Sequence, residues 1–195
     1  MRLVRLAHLA TDMGDILCVT AVAIVVGFWC WRQLDRLSAA AFALAYLTAL
    51  TLTTGLKIIS AQLWAGPHDS TPMQLSSGAP SGHVVLSIVV YGSAAYFCGR
   101  ASRAWYAWLG QIVCVLVLVG VAVTRVTLHT HTVADVLSGA GIGLALIAAP
   151  LFLVWSRPQS LRGSSAQWLL AGMVAAAAFM LLSGVRMPSG DFNLA

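Results

Sequence analysis

The sequence predicts an all-α fold, a polytopic membrane helical bundle of about six transmembrane helices, and three observations carry that prediction. Of its residues, 59% are hydrophobic and only 9% are charged, against about 25% charged in an ordinary soluble domain. The apolar residues lie in long blocks rather than in alternation, and a block of roughly 18 or more crosses a bilayer as a helix. Most connections between blocks are short, so residues 1–195 are expected to form a single membrane-embedded domain. An unclosed sheet would leave backbone groups unpaired in lipid, which leaves helices as the open choice.

Six blocks can be marked in order. The first runs from about Met13 to Trp31 and the second from about Ser38 to Leu56, joined by the polar turn Arg32 to Arg36. The third covers about His83 to Cys98 and the fourth about Ala104 to Thr124, with Gly99 to Arg103 as a second tight hairpin. The fifth spans about Thr132 to Trp155 and the sixth about Gln167 to Val185, separated by Ser156 to Ala166. Met1 to Ala10 carries Arg2 and Arg5, but no small-residue cleavage pattern follows the first block, so the first helix is expected to stay. Cys18, Cys30, Cys98 and Cys114 all fall inside apolar blocks with no CxxC pair. That pattern speaks against a metal site or a disulfide framework and reads as small core residues. Trp29, Trp31, Trp64, Trp105, Trp155 and Trp168 sit near predicted helix ends, as an interfacial belt would.

The formal charge of +5 is scattered singly through loops rather than gathered into a patch, so no nucleic-acid partner is expected. The charges instead report topology. With alternating crossings, the first, third and fifth connections share a face and hold Arg32, Arg36, Arg100, Arg103, Arg157 and Arg162 against the single acid Asp35. On the other face, Arg2, Arg5, Lys57, Arg125 and Arg186 are balanced by Asp12, Asp15, Asp69, Asp135 and Asp191. Cytoplasmic loops carry the excess of Lys and Arg. The balanced face, which also holds all five histidines, is therefore expected outside the cytoplasm, on the periplasmic side of a bacterial inner membrane.

That face also carries the longest connection, Lys57 to Ser81, rich in Gly, Pro, Ser and His. It ends in Pro80, Ser81, Gly82 and His83 at the start of the third helix, where free N–H groups and the positive end of the helix dipole make an anion cradle. The fourth helix ends at Thr124 and Arg125, and His131 and Asp135 follow at i and i+4, on one face of the fifth. These groups suit phosphoryl transfer. A neutral imidazole is a competent nucleophile when a carboxylate holds its other ring N–H, which are the roles of His131 and Asp135. Lys57, Arg125 and the Ser81 to Gly82 backbone would bind the phosphate and stabilise its charge. His83 is placed to protonate the leaving group and later to deprotonate the attacking water.

These motifs resemble those of the type 2 phosphatidic acid phosphatase superfamily, membrane lipid phosphate phosphatases related in their site to the vanadium haloperoxidases. The family's second motif, Pro-Ser-Gly-His, is complete at Pro80 to His83; a given tetrapeptide of this kind arises by chance in about one chain in a thousand of this length. The third, Ser-Arg, five residues, His, three residues, Asp, matches at Arg125, His131 and Asp135, with Thr124 in place of its serine. The first is a lysine, six residues, then Arg-Pro. Lys57 is present, but Trp64 and Ala65 stand where the arginine and proline belong. The resemblance covers about Leu47 to Leu146. It implies a metal-independent lipid phosphatase with no cofactor, acting through a phosphohistidine on His131, with Asp135 as its partner and His83 as acid/base.

The implied partners are membrane lipids and a lipid phosphate substrate: undecaprenyl diphosphate, phosphatidylglycerol phosphate, phosphatidic acid or lipid A phosphate. The loops do not choose among these, and the oligomeric state is left open. Two other classes compete. A b-type cytochrome would place paired histidines at similar depth inside the bundle, whereas His83 and His131 cap helices at its surface. The broken first motif admits a catalytically degenerate relative that binds lipid phosphate or scaffolds an envelope complex. His68, the only cationic candidate between Ala65 and Gly78, could replace the missing arginine, while His129 and Asp69 read as loop residues.

Overall fold

A computed structural model describes residues 2–64, 80–101, 105–155 and 165–183, and none of these forms a strand. Helix α1 covers Arg2–Asp12, α2 Ile16–Gln33 and α3 Arg36–Trp64. The next rod, α4 (residues 82–101), is built of an α-helix over Gly82–Ser87, a π-helical turn over Ile88–Gly92 and an α-helix over Ser93–Ala101. Then come α5 (Trp105–Thr127), α6 (Val133–Trp155) and α7 (Ser165–Ser183). The six elements α2 to α7 are each long and apolar enough to cross a membrane. Large apolar side chains such as Ile24, Leu44, Leu116, Leu137, Phe152 and Phe179 stay exposed along them, where lipid rather than water covers such surface.

Helix α4 is the hub. It touches α2, α3, α5, α6 and α7, and 67% of its span is buried against 22–39% for the other five. Its small residues allow this: Ser87, Ser93 and Ala94 are buried, and Val85, Val89, Val90 and Phe97 belong to one core cluster with Val19, Val22, Val26 and Phe42. Helix α6 comes closest to it through Gly139 and Gly143, where an added Cβ would lie 2.9 Å from Ser81 O and from Ile88 Cβ respectively. Two small residues four apart are the usual device for bringing membrane helices into near backbone contact. Here they seat the start of α4 against the start of α6.

Four sequence expectations need correction. Helix α1 was not expected, yet Leu3, Leu6, Ala7 and Ala10 follow helical spacing; at 11 residues it is too short to span, and it packs on α5. The first span begins at Ile16 rather than Met13, because the Asp15 carboxylate caps it by accepting from Leu17 N at 2.9 Å. The second runs on to Trp64, so Lys57 sits on the helix rather than in the loop; no Gly or Pro interrupts the sequence between Lys57 and Trp64. Finally, Trp29 is a core residue stacked on Phe97 with ring centroids 5.7 Å apart, whereas Trp31, Trp105 and Trp168 are exposed as interfacial anchors should be. The side chains of Trp64 and Trp155 lie outside the described residues. All four cysteines are buried and unpaired, as small core residues.

Candidate active site

The start of α4, the ends of α3 and α5, the start of α6 and the α1–α2 corner meet at one end of the bundle. Ser81 is fully buried and extended, and its backbone N–H donates to Asp135 O at 3.1 Å, which ties α4 to α6. Its hydroxyl makes no cap and has no hydrogen-bond partner. A buried hydroxyl beside a helix N-terminus whose first amides have no side-chain cap is what an anion site requires. A Cβ on Gly82 would stand 3.9 Å from Lys57 Nζ, so α3 delivers its ammonium directly to this helix start.

Arg125 and His131 are placed by one turn. Helix α5 closes with Leu128 N donating to Thr124 O at 2.9 Å and His129 N to Val126 O at 3.0 Å. His129 then takes the left-handed conformation, φ 54°, which histidine tolerates better than most residues. The chain folds back so that His131 N and Thr130 Oγ1 both donate to Arg125 O at 3.0 Å. Arg125 is 4% exposed, a buried cation at the negative end of α5. Thr124 spends its hydroxyl inside α5, on Gly120 O and Val121 O, so it aims no donor at an anion.

His131 is 6% exposed, and neither ring nitrogen has a hydrogen-bond partner. Nδ1 faces Asp135 Oδ2 at 3.6 Å, an ion-pair distance rather than the expected hydrogen bond. The reason is that Asp135 serves two masters: Oδ2 accepts from Thr132 N at 2.9 Å while Asp135 N donates to Thr132 Oγ1 at 3.2 Å, a reciprocal cap on α6. The cap holds the carboxylate within about half an ångström of bonding to the ring. Burial first, then the charges of Arg125 and Lys57, push the His131 pKa down to about 4, against a smaller upward pull from Asp135. The imidazole is thus neutral at neutral pH, with its lone pair available. Arg125, Lys57 and His131 also lie near enough to His83 to act on it electrostatically.

Six of the predicted site residues therefore converge with Gly82: Lys57, Ser81, His83, Arg125, His131 and Asp135. His68, Asp69 and Ala65 to Gly78 lie outside the described residues, and Trp64 is placed only by its backbone, two helical turns beyond Lys57 on α3. Two devices went unnoticed in the sequence although their signals were legible: Thr132 and Asp135 have capping-box spacing, and Gly139 and Gly143 have small-residue spacing.

Six helices long and apolar enough to cross a membrane fit an integral membrane protein, and at one end of the bundle two histidines, a carboxylate and two cations gather at a buried helix N-terminus. The chain belongs to the PAP2 superfamily, a superfamily of phosphatases, whose family model matches residues 38–162. That stretch contains all the motif residues above and leaves out α1, α2 and α7. Neither a curated protein nor a solved structure matches the chain.

Proposed function

We propose that the protein is a metal-independent phosphatase that hydrolyses a lipid phosphomonoester or diphosphate through a phosphohistidine on His131, with its site outside the cytoplasm. The observation that carries this reading is His131 itself: a buried, neutral imidazole with Nδ1 toward Asp135 and Nε2 unpartnered, beside Arg125 and Lys57.

The substrate phosphate sits between His131 and the start of α4. The Ser81 hydroxyl, the first amides of α4, Lys57 and Arg125 bind its equatorial oxygens, where charge must be stabilised in the transition state. His131 Nε2 attacks phosphorus as the P–O bond to the lipid, or to its terminal bridging oxygen, breaks. Asp135 closes onto Nδ1–H as the ring gains positive charge, and His83 gives its proton to the leaving oxygen. A water then loses a proton to His83 and attacks phosphorus, the P–N bond breaks, and inorganic phosphate and free His131 return. A site at a helix end, in a bundle whose flanks are apolar, is reached by a headgroup while its chains stay in the bilayer. That geometry supports a lipid substrate of the undecaprenyl diphosphate, phosphatidylglycerol phosphate, phosphatidic acid or lipid A type.

Phosphate release from a panel of these lipids, with EDTA present, tests the reading. The expected result is turnover that orthovanadate inhibits and that His131→Ala abolishes. Full activity of His131→Ala, or loss of wild-type activity on chelation, refutes it. Trp64 in the place of the family arginine favours a second reading, a relative that binds lipid phosphate without turning it over; vanadate binding with no phosphate release from any lipid would select it.

A further inference from the structure

The buried Arg125 does not face the site unaided. Its Nη1 donates to Thr11 Oγ1 at 3.3 Å, and Thr11 is itself buried, at the last turn of α1. This helix precedes the stretch that the family model matches. The corner that carries Thr11 is tightly built: Gly14 N donates to Thr11 O at 2.9 Å and Asp15 N to Asp12 O at 3.1 Å. Tyr91, on the π-helical turn of α4, donates its hydroxyl to Met13 O at 3.0 Å. A Cβ on Gly14 would lie 2.8 Å from Val121 Cγ1, 3.2 Å from Ser87 Oγ and 3.3 Å from His83 Cβ, so the corner is packed onto the very turns of α4 and α5 that carry His83 and Arg125.

We infer that Thr11 is a positioning residue for phosphoryl transfer: its hydroxyl anchors Arg125 Nη1 and so aims the rest of the guanidinium fork at the phosphate. The inference rests on the phosphatase reading above. An arginine has a long, flexible stem, and its value to a transition state depends on the fork being held in one orientation before the reaction. Thr11 supplies that restraint from the last turn of α1 without touching substrate. The first motif has lost its arginine here, so Arg125 carries more of the phosphate's charge and its orientation matters more.

The test uses the full-length protein and a lipid phosphate that it turns over. Thr11→Val keeps the shape and removes the hydroxyl, while Thr11→Ser keeps the hydroxyl. Thr11→Val is expected to lower kcat about 10-fold, the scale of a hydrogen bond to a charged group, with KM within about 2-fold. Orthovanadate inhibition should weaken by a similar factor, and Thr11→Ser should restore both. In an Arg125→Ala background, Thr11→Val should cost nothing further, since there is no guanidinium left to aim. Wild-type kcat and vanadate inhibition in Thr11→Val would overturn the inference. So would an equal loss in Thr11→Ser, or a full additional loss in the Arg125→Ala background, since both mark a merely structural role. A wild-type protein that neither turns over lipid phosphates nor binds vanadate removes the phosphatase reading, and this inference with it; an active wild type with an indifferent Thr11→Val removes this inference alone.

Discussion

Replacing Gly139 with alanine tests how closely the two halves of the site must approach. The new methyl would stand 2.9 Å from Ser81 O and 3.4 Å from Ser81 N, and ordinary contact begins at 3.4 Å. Ser81 or α6 must therefore retreat by about half an ångström, and overpacking of this kind costs about 1–3 kcal/mol. The better helix propensity of alanine returns up to about 1 kcal/mol, so the net loss of stability is expected to be modest. The catalytic loss should be larger in proportion. Ser81 N is bonded to Asp135 O, so the displacement moves the Ser81 donors and Asp135 relative to each other. A misplacement of about 1 Å costs roughly 100-fold in rate, so half of that predicts a fall of about 10-fold in kcat. Gly141→Ala is the control on the same helix. A Cβ there meets nothing within 4 Å, and this variant should keep full activity and be as stable as the parent or slightly more so. Phosphate release and thermal denaturation in detergent, measured on both variants, give the comparison. Equal activity of Gly139→Ala and Gly141→Ala would refute the claim that backbone contact between α4 and α6 sets the site.

Three further outcomes are expected. The His131 ring, followed by NMR in the ligand-free protein, should titrate near 4 rather than at the usual 6.5, because burial and two cations disfavour its charged form; Lys57→Ala should raise that midpoint, and a wild-type midpoint at or above 6.5 would refute the electrostatic account. Lys57→Ala should lower turnover by about 100-fold or more, as the loss of a transition-state cation does, whereas Trp64→Arg should raise it by restoring a bidentate donor; an indifferent Lys57→Ala would remove that residue from the site. Reporters fused after Ala195 should be active outside the cytoplasm, and a C-terminal reporter active only inside would overturn the topology read from the arginine asymmetry.

The spans were legible because their signal is additive: a run of some twenty apolar residues needs no tertiary context. Boundaries were less so, since Lys57 reads as the end of a membrane segment by hydropathy, while helix α3 continues to Trp64 with no Gly or Pro between the two. The convergence of Lys57, the Ser81 to His83 turn, Arg125, His131 and Asp135 followed from alternation of crossings, which sends the ends of α3 and α5 and the starts of α4 and α6 to one side. The finer geometry did not follow. Asp135 carries a helix cap as well as facing His131, and only coordinates reveal that its Oδ2 is shared between Thr132 N and the imidazole. Trp29 and Trp31 are near neighbours in the sequence, yet one stacks in the core and the other is exposed, a difference set by which face of α2 meets α4. Thr11 was illegible for a similar reason: its meaning lies in a contact with Arg125, 114 residues away.

The proposed phosphohistidine on His131 is the claim that experiment reaches most directly. The protein should be mixed with a lipid whose phosphate carries radiolabel, quenched in alkaline detergent within the first turnover, and digested for peptide mapping. Label on His131, lost in acid and absent from His131→Ala, is the predicted result. Steady turnover with no labelled protein, or label on His83 or His129, would contradict the assignment of His131 as the nucleophile.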